Sequence, residues 1–358
     1  LEEAPVFSPD ERRLIIQHLA ETAIRNPHCD PTSPTNTGSR HTLAANISAY
    51  TKMSYLRRTI AQPSAWDDVL TRWRQGTDAF FEAALTGYRD GRDRYSCEDS
   101  MEMLLRWPLS EGRLAHFESG LARQGLQYAL SYIDSLGYTC GLADYEEALP
   151  GLLYRQRGIE YHCALVGYVI RDPGMQWLRE HVAACATGSA FGGLTPVFFE
   201  GIGKYTTKLA ADPATTAYLT GVTALPVSAR RYARLQREAE ADGVALAPVS
   251  ATVDKICFRS GFAPTDQYLL LQGLQTFADA NTIPRFTDGG KIWLVHNTNA
   301  SGCFWRNGVY VSNGRSVEAP PSACRLELLG RFPDFGISST VVPDYRGMDW
   351  RRTILWQV

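Results

Sequence analysis

Apolar residues recur at three- to four-residue spacing through the first 245 positions, the signature of helices with one buried stripe. Ser8-Pro-Asp-Glu11 is a capping box with proline at the first helical position, followed by Leu14, Ile15, Leu19 and Ile24. Ser64-Ala-Trp-Asp67 opens a second helix carrying Val69, Leu70, Trp73, Phe80 and Phe81. Ser110 begins a long helix that stops at Leu136-Gly137, where glycine supplies the C-terminal turn. Asp172-Pro173 and Asp212-Pro213 each pair an N-cap with a helix-opening proline, and further helices are predicted over 41–59, 98–107, 146–170, 189–209 and 226–241. About nine or ten helices joined by short connections predict antiparallel helical hairpins packed side by side.

Beyond the AEADGVALAPVSA stretch at 239–251 the period changes. VDKICFRS, QYLLLQG, KIWLVHN, FWRNGVYVSNG, ACRLELLG, GISSTVV and RTILWQV are strand-like, with Asp288-Gly-Gly290 and Asn313-Gly314 as turns. The chain is therefore expected to be α+β, with a helical domain over 1–245 and an antiparallel β-sheet domain over 252–358. The sequence opens at Leu1 without methionine and ends on a strand with no closing turn, so it reads as part of a longer protein, incomplete at its C-terminus.

Composition narrows the class of function. Among 358 residues, 44% are hydrophobic and 21% charged, and the net charge of −2 gives no basic excess for a dedicated nucleic-acid binder. No run is apolar enough to span a bilayer. The eight cysteines show no CxxC and no paired metal-ligand spacing. Phosphate-binding glycine loops and nucleophile elbows are absent as well.

Two polar stretches carry candidate chemistry. Pro34-Thr-Asn-Thr-Gly-Ser-Arg-His-Thr42 feeds a helix beginning near His41 and offers Asn36, Arg40, His41 and free backbone N–H groups to an anion such as a carboxylate. Arg94-Tyr-Ser-Cys-Glu-Asp-Ser100 places Tyr95 beside Glu98 and Asp99 ahead of another helix. Read blandly, the first is a capped loop and the second a pair of N-terminal helix charges. A third stretch, GLQTFADANTIPRF at 273–286, sets Asp279, Asn281 and Thr282 between two apolar strands, either as a long hairpin tip or as the rim of a site. His18, His116 and His181 read as ordinary helix residues, whereas His162 and His296 are placed where each could face a groove.

The order of these features resembles the heparinase II/III-like polysaccharide lyases. Three stretches carry the resemblance. They are EEAPVFSPDERRLI leading to NTGSRHTLAANISAY; CEDSMEMLLRWPL with HFESGLARQGLQYALSYIDSLGY; and DKICFRSGFAPTDQYLLLQGL with DANTIPRFTDGGKIWLV. The resemblance implies an N-terminal α/α toroid-like domain, a β-sandwich, a periplasmic or secreted location, and β-elimination at a uronic acid in an acidic polysaccharide. In such chemistry donors neutralise the sugar carboxylate, so that a base can remove the C5 proton and an acid can protonate the departing glycosidic oxygen.

Carried over by position, Asn36 matches the carboxylate-binding asparagine. Thr37 stands where a histidine is expected, leaving Arg40 or His41 to supply the positive group. Tyr95 is the nearest substitute for a tyrosine expected near Met103. Gln275 and Phe277 occupy two histidine positions and only Asp279 is kept, so no zinc and no other cofactor is expected. Asn36, His41 and Tyr95 are thus the catalytic candidates, with Arg40, Glu98, Asp279 and Asn281 as substrate-binding candidates. An active lyase with a rearranged site and a catalytically lapsed scaffold that binds acidic polysaccharide or a protein partner are both consistent with this pattern. A helical interaction domain with no link to sugars is the third reading.

Overall fold

The computed structural model describes residues 6–25, 65–87, 105, 107–138, 159–178, 220–227, 229–241, 246–274, 280–295, 307–312, 314, 317–318 and 323–357. The chain divides into two compact units, one formed by residues 1–85 and 102–113, the other by 86–101 and 114–358.

The first unit holds α1 (Pro9–Arg25), almost all of α2 (Ala65–Gly87) and the short α3 (Trp107–Ser110). The capping box forms: the Ser8 amide donates to Glu11 Oε2 at 2.8 Å, and the Glu11 amide donates to Ser8 Oγ at 3.3 Å. In α2, Trp73, Thr77 and Phe81 recur every fourth residue and are buried, which is the stripe the spacing predicts. The indole of Trp107 is also buried and donates to Asp78 at 3.0 Å, while Arg113 pairs with the same carboxylate and lies over the Phe81 ring. Asp78 therefore ties α3 and the turn after it onto α2.

The second unit begins with α4 (Leu114–Glu118), α5 (Leu121–Ser131) and α6 (Ile159–Ile170). The single long helix expected from Ser110 to Leu136 is instead broken at Gly112 and Gly120. Both adopt positive φ, 67° and 82°, a conformation that interrupts a helix and that glycine enters without strain. Gly137 also has positive φ, 84°, but it closes a turn beyond α5 rather than the helix itself. The predicted cap at Asp172 forms, its carboxylate accepting from the amides of Gly174 and Met175.

Strands start earlier than residue 252. β1 (Gly221–Pro226) precedes α7 (Ala229–Ala241) and pairs with β2 (Val253–Arg259), so the last predicted helix is inserted within the sheet region. The antiparallel five-stranded sheet then continues through β3 (Tyr268–Gln272), β4 (Arg285–Asp288) and β5 (Lys291–Val295) in sequential order. The β4–β5 turn is the predicted one, with Gly289 and Gly290 at φ 57° and 76°, as a tight two-residue hairpin requires. β6 (Val311–Ser312) and β7 (Val317–Glu318) form a small ribbon. A three-stranded antiparallel sheet of β8 (Arg325–Arg331), β9 (Phe335–Val342) and β10 (Trp350–Gln357) completes the unit, with β9 central.

Register explains how the two sheets meet. Val222 pairs with Phe258, Phe258 with Leu269, Leu269 with Phe286 and Phe286 with Leu294, so one apolar row crosses all five strands. This face packs against Leu326, Ile354 and Trp356 of the three-stranded sheet, forming a sandwich core. Over β2, β3 and β4 the opposite face is buried and largely polar, with Lys255, Arg259, Gln272, Arg285 and Thr287, and it receives the end of α5.

Candidate functional site

Within the stretch 273–286, backbone bonds join the end of β3 to the residues ahead of β4. The Gln272 amide donates to the Thr282 carbonyl at 2.9 Å and the Asn281 amide donates back to Gln272 at 2.7 Å. The amides of Gly273 and Leu274 both donate to the Asp254 carbonyl, while the Cys324 amide donates to Gly273. Gln272 at the end of β3 and Asn281 and Thr282 ahead of β4 therefore lie side by side. Asp279 lies outside the described residues.

Asn281 is described, and it faces inward. It is fully buried, with φ of 66°, and its amide nitrogen donates to the Trp350 carbonyl at 3.1 Å. Its amide oxygen accepts from Thr340 Oγ1 at 2.6 Å. A side chain closed to solvent, with both ends of its amide used in holding the strand ends of the two sheets, is not available to a sugar. The substrate-binding role expected of Asn281 is therefore replaced by a structural one. Asparagine suits the position because it enters the left-handed region more readily than most residues.

Asn36, Arg40, His41, Tyr95 and Glu98 lie outside the described residues, as do Thr37, Gln275 and Phe277. Among the described histidines, His18 is exposed on α1, whereas His116 and His162 are buried. No group of three or more His, Cys, Asp or Glu among the described residues is placed to hold a metal ion. No described helix is long and apolar enough to cross a membrane.

The most concentrated polar chemistry in the described residues is the layer between α5 and the five-stranded sheet. Its origin is a β-bulge: Leu225 opposes Lys255 while Pro226 opposes Val253, so Asp254 is the extra residue in β2. The bulge breaks the alternation of the strand. Lys255 Nζ binds Asp254 Oδ1 at 2.9 Å and the Leu274 carbonyl at 3.1 Å. The Tyr132 hydroxyl donates to Asp254 Oδ2 at 3.0 Å, and its ring lies beneath the Lys255 ammonium.

Arg259 and Tyr268, directly paired across β2 and β3, reach the C-terminal end of α5. Arg259 donates to the carbonyls of Ile133 and Leu130, and the Tyr268 hydroxyl donates to Ser131 at 2.7 Å. These carbonyls lie at and just beyond the C-terminal end of α5, at the negative pole of its dipole. The guanidinium also stacks over the rings of Tyr268 and Phe262, at 4.6 and 4.3 Å. Arg285 approaches Asp134 at 3.6 Å. Burial pushes the Asp134 carboxyl above its ordinary value, opposed by Arg285 and by the amides of Tyr138 and Leu136.

Lys255, Arg259, Arg285, Asp254 and Asp134 are all closed to solvent. Such groups cannot touch a polymer, and their chemistry is to fix how the helices seat on the sheet. Apolar periodicity alone does not single them out, because VDKICFRS reads as an apolar strand. The signal was present in its two basic residues and one aspartate within a segment otherwise fit for burial.

No protein-family model matches the chain, and no curated protein matches it. Among solved structures, a heparan sulfate lyase of Pedobacter heparinus (HepC) overlaps 98% of this chain and 57% of its own, at 11% identity and a TM-score of 0.30. A mutant of the same enzyme gives 12% identity and a TM-score of 0.30, over 97% of this chain and 57% of that one. Heparinase III gives 10% identity and a TM-score of 0.34 with the same two coverages. The chain thus spans a little over half the length of the structures it matches. Superpositions this loose mark a weak structural resemblance and carry no functional argument.

Proposed function

We propose that the chain is a polysaccharide lyase-like scaffold that acts on uronic-acid-containing polysaccharide by β-elimination. The observation that carries the reading is the segment Asn36-Thr-Gly-Ser-Arg-His41, which supplies Asn36, Arg40 and His41 as donors at a predicted helix start. Asn36, with His41 or Arg40, neutralises the uronate carboxylate. Tyr95, as phenolate, takes the C5 proton, the C4–C5 double bond forms as the C4–O bond breaks, and Tyr95 passes that proton on to the departing oxygen. Glu98 and Asp279 are the further substrate-binding candidates. A periplasmic or secreted location fits a polymeric acidic substrate.

A second reading is favoured by one specific observation. Thr37, Gln275 and Phe277 stand at three positions where the resemblance expects histidine. On that reading the scaffold binds acidic polysaccharide, or a protein partner, without cleaving it.

Incubation with a panel of uronic-acid polymers, followed by near-ultraviolet absorbance of unsaturated products, separates the two. Product that disappears in Asn36→Ala and Tyr95→Phe supports elimination at this site. Binding without product supports the lapsed scaffold, and neither binding nor product removes both readings.

A further inference from the structure

We draw no further inference here: the strongest candidate, the exposed apolar outer face of the three-stranded sheet with Leu328, Phe335 and Leu355, carries nothing because nothing in the structure shows what covers it.

Discussion

The hydroxyl of Tyr132 donates to the Asp254 carboxylate at 3.0 Å although 122 residues separate them in the chain. The same carboxylate holds the buried ammonium of Lys255, so one aspartate joins the residue following α5 to the bulge of β2. Removing it leaves a charge inside the protein without its counter-ion. Asp254→Ala is expected to lower the unfolding free energy by about 3–5 kcal/mol in urea titration. Tyr132→Phe should lower it by about 1.5–3 kcal/mol, the range for a hydrogen bond to a charged group. The double replacement Asp254→Leu with Lys255→Met removes both charges together and should recover most of the loss. A double variant as unstable as Asp254→Ala would show that the bulge geometry, not the ion pair, carries the stability.

Glu327 gives a pH dependence of known sign. Arg351 binds it at 2.7 and 3.2 Å and Arg325 at 3.1 Å, and these bonds hold its carboxyl down to about 2. A carboxyl depressed on folding adds stability above its unfolded value. That stability is lost as pH falls through the folded value. The difference in unfolding midpoint between wild type and Glu327→Gln should thus be present at pH 7, shrink below about pH 4.5 and vanish near pH 2. The cluster faces solvent, so the difference is expected to be small and to diminish in 1 M salt. A difference that grows on acidification would contradict the assignment.

Gly273 marks the point where β3 gives way to its loop. A Cβ built there meets the Val253 carbonyl oxygen and side chain, against a backbone fixed by the bonds to Asp254. Gly273→Ala should cost about 1–3 kcal/mol, the range for overpacking, and appear as a lowered thermal midpoint. Ala at Gly289, where a Cβ meets nothing within 4 Å, should instead show only the backbone strain of its positive φ. A loss at Gly273 no larger than that at Gly289 would exclude the close approach at Gly273 as the cause.

Much of the β region was legible because strand periodicity is local. Tyr268–Gln272, Phe335–Val342 and Trp350–Gln357 sit where alternating and continuous apolar runs placed them, and Ser8 and Asp172 cap helices as their spacing implied. What escaped depended on partners distant in sequence. β1, GVTALP, falls within the region read as helical and becomes a strand by pairing with β2. Gly112 and Gly120 were absorbed into one helical period, because hydrophobic spacing alone does not reveal where the backbone turns left-handed. The role of Asn281 was hidden for the same reason: its partners, Thr340 and Trp350, lie 59 and 69 residues away. The catalytic candidates Asn36, His41 and Tyr95 are legible only through family resemblance, since spacing alone equally allows capped loops.

Asn281 offers a direct separation of structure from recognition. The nitrogen and oxygen of its one side-chain amide reach β10 and β9, and Trp350 can only accept through its carbonyl, which fixes the amide orientation. Asn281→Ala leaves a buried carbonyl and a buried hydroxyl without that partner and puts a Cβ-bearing residue with no compensating side chain at φ 66°. The expected loss is roughly 2–4 kcal/mol of stability. Thr340→Val should cost less, because it removes one bond of the same pair, and the two changes should couple by more than about 0.5 kcal/mol in a double-mutant cycle. Affinity for uronic-acid polymers, measured on the folded protein, should not change in either variant. Additive losses would dissolve the proposed bridge. A fall in saccharide affinity at full folding would return Asn281 to the binding surface.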